Sequence, residues 1–128
     1  MKESDIQDLI LLEMSKRGHR LWRTNAGSIR TLTGGVVKLM PKGFPDTCGF
    51  RVSDGKFIAL EIKTPKGRLT KDQKKFGKMA EAYPILYGVV TSVEEAVEIV
   101  EENKSELLNG AARDASHQIG KRRDENEE

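Results

Sequence analysis

Cysteine is nearly absent from this 128-residue chain. A single residue, Cys48, leaves no internal disulfide and no cysteine-based zinc site. Such usage fits a reducing compartment. Histidine is almost as scarce. His19 and His117 lie far apart and in no metal-ligand spacing. Any metal held here would have to be a hard cation bound through oxygen. No apolar run reaches the length of a membrane-spanning helix. The opening Met1-Lys2-Glu3-Ser4-Asp5 leads into an amphipathic segment, so no signal peptide is expected. Neither a membrane partner nor a small-molecule cofactor is expected.

Charge is what the chain has in quantity. Charged residues make up 33% of it, against 37% hydrophobic, so part of the chain is tail or heavily charged surface. Residues 1–100 carry 17 Lys and Arg against 12 Asp and Glu, a net +5. Residues 101–128 carry 5 against 8, a net −3. The first part is modestly basic, which suits a polyanionic partner as well as plain solubility. One domain over residues 1–103 is expected, followed by a charged, flexible tail over 104–128.

Periodicity orders the elements. Ser4-Asp5-Ile6-Gln7 fits a capping box, with Ile6, Leu9, Ile10 and Met14 at helical spacing and Gly18 closing the segment. Leu21 and Trp22 suit a short strand, 24–35 reads as loop, and 36–40 suits another short strand. Residues 47–52 and 56–63 flank Ser53-Asp54-Gly55, the pattern of a hairpin. Thr70-Lys71-Asp72-Gln73 is a second capping box, opening a helix whose expected apolar face is Phe76, Met79, Ala80 and Tyr83. The apolar run 85–91 reads as a buried strand, and Ser92 opens a last helix. The order is α-β-β-β-α-β-α around a small mixed sheet, with a parallel crossover after the hairpin.

The chemistry concentrates on strand 56–63. Alternation puts Ile58, Leu60 and Ile62 on one face and Phe57, Ala59, Glu61 and Lys63 on the other. The crossover makes this strand central, where a charge is expensive to bury. The hairpin brings Asp46 alongside it, so Asp46 and Glu61 can approach. Two carboxylates together repel unless a divalent cation lies between them. A lysine beside them can orient or deprotonate water, or stabilise developing negative charge. This is a set of groups for metal-assisted phosphodiester hydrolysis.

Pro45-Asp46, then Glu61-Ile62-Lys63 after fourteen intervening residues, resembles the PD-(D/E)xK nuclease signature. More narrowly, the chain resembles the VRR-NUC family, in particular its short stand-alone phage and bacterial members. The resemblance runs from about Glu3 to about Glu95. It rests on Glu3 with Ile6-Gln7, Thr24-Asn25-Ala26-Gly27, Gly43-Phe44-Pro45-Asp46, Glu61-Ile62-Lys63 and Gln73, in that order. Many members read Gly-x-Pro-Gly-x-Pro-Asp, whereas this chain has Met40-Pro41-Lys42-Gly43-Phe44-Pro45-Asp46. That difference is taken as variation in substrate contact.

The resemblance implies a restriction-endonuclease-like α-β-β-β-α-β core and a Mg²⁺-dependent deoxyribonuclease, with Mn²⁺ as a substitute. Asp46, Glu61, the Ile62 backbone carbonyl and Glu3, directly or through water, would hold the metal. Lys63 would act on the attacking water. Gln73 would position Lys63 or the scissile phosphate, provided its side chain is not committed to the helix cap. Lys42, Lys66, Arg68, Lys71, Lys74 and Lys75 are the candidate DNA contacts. The implied substrate is branched DNA, with four-way Holliday-type junctions favoured. A flap or nicking nuclease and a non-catalytic DNA-binding module are the alternatives. A homodimer is expected, meeting through helix 5–17 or segment 24–40, in the cytoplasm of a bacterium or phage-infected host.

Overall fold

In the computed structural model, which describes residues 1–25 and 28–102, the expected crossover forms around strand 56–63. The tail expected over 104–128 lies outside the described residues, as do Ala26 and Gly27. The elements are α1 (Glu3–Lys16), β1 (Arg20–Arg23), β2 (Ser28–Arg30), β3 (Val36–Lys38), β4 (Thr47–Phe50), β5 (Phe57–Ile62), α2 (Lys71–Ala80), β6 (Leu86–Val90) and α3 (Val93–Val97). A π-helical turn over Glu98–Glu102 follows α3. The main sheet runs β1-β4-β5-β6, and β2 pairs with β3 in a separate hairpin. β4 is antiparallel to β1 and β5, and β6 is parallel to β5. The chain is therefore α/β, with a small mixed sheet of the restriction-endonuclease-like kind.

The two faces of β5 do different work. Ile58, Leu60 and Ile62 are fully buried with Ile6, Ile10 and Met14 of α1 and with Leu86, Val90, Ala96 and Val100. Burying a side chain of this kind contributes roughly 1.5–3 kcal/mol. The other face carries Ala59 and Glu61 under α2, whose Phe76 meets Tyr87 of β6 at a ring separation of 5.8 Å. α1 and α3 thus lie on one side of the sheet and α2 on the other.

Several expectations change. α1 begins earlier than the Ser4 box implied: Lys2 is its cap, and the Asp5 carboxylate accepts the Lys2 N–H at 3.1 Å. Leu9 is 44% exposed rather than buried, because the sheet meets α1 along the narrower Ile6, Ile10, Met14 stripe. On α2, Gly77 and Ala80 are the buried residues and Met79 faces outward, while Tyr83 lies past the end of the helix and is exposed. The segment read as loop contains β2, whose partner β3 supplies the pairing that its own sequence does not announce.

Buried polar groups tie down the end of the core. The Arg51 guanidinium is 1% exposed, donating to Asp54 Oδ1 at 3.0 Å and to the Val100 carbonyl at 2.8 Å. His19 is 3% exposed and accepts the Val52 N–H on Nδ1 at 3.1 Å. That acceptor role leaves Nε2 to donate to Glu101 at 2.8 Å. Burial pushes the Glu101 carboxyl up, but His19 and Arg17 outweigh it and hold it low.

Candidate active site

Local geometry brings the two carboxylates together. The register Thr47↔Leu60 sets the start of β4 against the end of β5. Asp46 immediately precedes β4, and its Oδ2 accepts the Ile62 N–H at 2.8 Å. Glu61, one residue back on β5, is 2% exposed. Burial pushes its carboxyl up, the charge of Asp46 and a hydrogen bond with it push it further, and Lys63 opposes, leaving it at about 8. Lys63 Nζ lies 3.8 Å from Glu61 Oε2. Burial and Asp46 win because one ammonium at that distance neutralises only part of a desolvated pair.

Gln73 settles the question of cap against site by serving both. Its Oε1 accepts the Thr70 N–H at 2.8 Å, and its backbone N–H donates to Thr70 Oγ1 at 3.1 Å. Its Nε2 donates to Glu61 Oε2 at 3.0 Å. A carboxamide has an acceptor end and a donor end, so the expected exclusion between the two roles does not arise.

The loop before Asp46 is held from both sides. Thr24 donates its N–H to the Asp46 carbonyl at 2.8 Å and its hydroxyl to the Pro45 carbonyl. Phe44 stacks edge-on against Phe76 at 5.2 Å. Gly43 has φ +88°, and a Cβ there would lie 2.6 Å from the Asp72 backbone. Only glycine lets the loop touch the first turn of α2 at this point. On the same helix, a Cβ at Gly77 would meet Tyr87 Oη at 2.7 Å. The sequence pattern quoted Gly43 without this reason, and Tyr87 and Gly77 carry no local signal at all.

Asp46, Glu61, Lys63 and Gln73 are therefore together. Glu3, exposed at the start of α1, acts on Glu61 through its charge, the smallest influence raising that carboxyl. Among the described residues, no three Asp, Glu, His or Cys side chains are arranged to hold a metal ion. The donor set that could do so is the Asp46–Glu61 pair completed by backbone carbonyl and water. It fits a hard divalent cation: buried Glu61 and half-buried Asp46 meet there, and ionising both leaves one negative charge that Lys63 does not offset. Lys42, Lys66, Arg68, Lys71, Lys74 and Lys75 are all exposed, five of them on the approach to α2 or in its first turns. Cys48 is half-buried beside the site, and burial pushes its thiol up, so it is not a ready nucleophile.

A mixed α/β sheet thus brings paired acids and a lysine to the junction of its central strands. The family model for the VRR-NUC domain matches residues 1–94, and the chain belongs to that family. It is a nuclease domain that acts on DNA. No curated protein matches the chain. No helix among the described residues is long and apolar enough to cross a membrane.

Proposed function

We propose that the chain is a Mg²⁺- or Mn²⁺-dependent endonuclease of branched DNA that resolves four-way junctions. The observation that carries this is the pairing of half-buried Asp46 with buried Glu61, with Lys63 and Gln73 in contact with Glu61. Asp46 and Glu61 would hold the cation, with the Ile62 carbonyl, and with Glu3 directly or through water. When bound, the ion offsets negative charge developing on the phosphate. Lys63 orients the attacking water beside Glu61; its oxygen adds to phosphorus as one ester P–O bond breaks, and its proton ends, by way of solvent, on the departing oxygen. Gln73 fixes the Glu61 carboxylate. Lys42 and the cluster from Lys66 to Lys75 bind the flanking phosphates.

Residues 1–103 act as the nuclease unit, with 104–128 as an appended tail. Resolution needs two cuts, and a two-fold dimer offers two sites to a two-fold substrate. Leu9 and Leu12 on α1, 44% and 54% exposed, and Leu32 and Val36 of the hairpin, 107% and 60% exposed, are available for that contact. The decisive test uses labelled four-way junction, flap and linear duplex, with Mg²⁺ or with EDTA, on wild type and Asp46→Asn. Metal-dependent junction cleavage that Asp46→Asn abolishes supports the reading. Cleavage by Asp46→Asn at the wild-type rate refutes the site. A monomer that only nicks a cruciform plasmid makes the protein a flap or nicking nuclease instead.

A further inference from the structure

The sheet face that carries the carboxylate pair continues beyond it. The Thr24 N–H bond to the Asp46 carbonyl extends the β1–β4 ladder to Asp46, so alternation puts Asp46, Cys48 and Phe50 on one face. Trp22 pairs with Cys48, and Arg20 pairs with Phe50, which in turn pairs with Phe57. Paired residues share a face. Trp22 therefore stands next to Asp46 on that face, and Phe50 and Phe57 lie farther along it, four positions from Asp46 and from Glu61, roughly 13 Å of strand. The three are 56%, 42% and 38% exposed. The Trp22 and Phe50 rings lie 6.1 Å apart at 57°. Single exposed apolar side chains are ordinary, but adjoining aromatic rings with an exposed arginine in the same cross-strand row are not scattered surface. Trp22 lies across from a residue two positions from Asp46, roughly 7 Å along the strand.

We propose that this aromatic shelf stacks on base faces left open where a DNA duplex is interrupted, and so places a branch point beside Asp46 and Glu61. The inference rests on the reading of those residues as the cleavage site. Its occupant follows from chemistry. Every base has a π-face for Trp22 and Phe50, and every strand has phosphates for Arg20. An intact linear duplex buries its base faces in its own stack, so it offers the shelf nothing but its ends. The shelf therefore prefers interrupted DNA without reading sequence.

Trp22 is the one tryptophan of the chain, so its fluorescence reports stacking without any substitution. The full chain in EDTA is titrated with an oligothymidylate of about 12 nucleotides, within the span such stacking surfaces cover. A four-way junction and a long linear duplex are titrated in parallel. Oligothymidylate and junction are expected to quench Trp22, and the duplex to bind without quenching. Trp22→Ala and Phe50→Ala should each weaken junction binding by about tenfold or more, as loss of a base–aromatic stack does. Trp22→Tyr should retain most of it, and linear-duplex binding and Tm should stay put in all three. Equal quenching by the linear duplex, or junction binding unchanged in Trp22→Ala and Phe50→Ala, overturns the proposal. Conversion of a dimer to a monomer by Trp22→Ala also overturns it, since the shelf would then face a second copy. Failure of the cleavage reading shows up separately, as normal cutting by Asp46→Asn.

Discussion

Replacing Glu61 by glutamine should stabilise the metal-free protein while destroying its activity. Glu61 is 2% exposed and its carboxyl is pushed up to about 8 by burial and by Asp46. The unfolded chain ionises this group near its ordinary value of 4.5. Between those two values the unfolded state has released the proton and the folded state has kept it. Stability is thus fully present below pH 4.5 and declines as pH rises to about 8. The decline is at most about 1.4 kcal/mol per pH unit, or about 3–5 kcal/mol over the window. Glutamine is the same shape and carries no charge at any pH. Its carbonyl still accepts from Gln73 and its amide can donate to Asp46, so the hydrogen bonds survive. In EDTA the variant and wild type should melt close together at pH 4.5, whereas at pH 8.5 the variant should melt higher by on the order of 10 °C. Saturating Mg²⁺ should raise the wild-type Tm, by about 2.7 kcal/mol of stability at a hundred times Kd, and leave the variant unmoved. A Glu61→Gln protein that melts at or below wild type at pH 8.5 in EDTA refutes the reasoning, because the buried charge would then carry no penalty.

Asp54→Ala should remove the carboxylate partner of the buried Arg51 guanidinium, which keeps its bond to the Val100 carbonyl, and lower stability by about 1–3 kcal/mol at pH 7, at the low end because Asp54 is partly exposed. Arg51 holds the Asp54 carboxyl down at about 2, so the difference from wild type should be full above pH 3.8 and be lost as pH falls through about 2, as read by denaturant titration. Gly43→Ala should cost about 1–3 kcal/mol from its left-handed backbone alone, with more from the clash at Asp72, and should slow cleavage by shifting Asp46; a wild-type melting curve contradicts it. Lys71→Ala and Lys74→Ala should weaken binding to every DNA alike and reduce the salt dependence by about one counterion each, measured by anisotropy against salt concentration. Ca²⁺ should protect the fold against heat yet support little cleavage, which a paired melting and gel assay would check.

Much of this protein was legible because the determining interactions are local. The Thr70–Gln73 box, the Ser92 cap and the Asp54-Gly55 turn each depend on residues within three positions of one another, and all three occur where the sequence places them. The alternation of β5 declares its two faces whatever its neighbours are, so Ile58, Leu60 and Ile62 could be assigned to the core and Glu61 to the opposite side. Other features are set by which elements lie side by side, and no local pattern carries that information. Leu9 is exposed because the sheet covers only a narrow stripe of α1, and β2 exists because β3 pairs with it. Gln73 reaches Glu61 while capping its own helix only because α2 crosses over β5 at that end. The aromatic shelf exists only because β1 pairs with β4, which sets Trp22 against Phe50 from 28 positions away. Periodicity and capping follow from backbone geometry within one or two turns, whereas side-chain contact across a sheet follows from pairing and register, which the burial of the whole core selects.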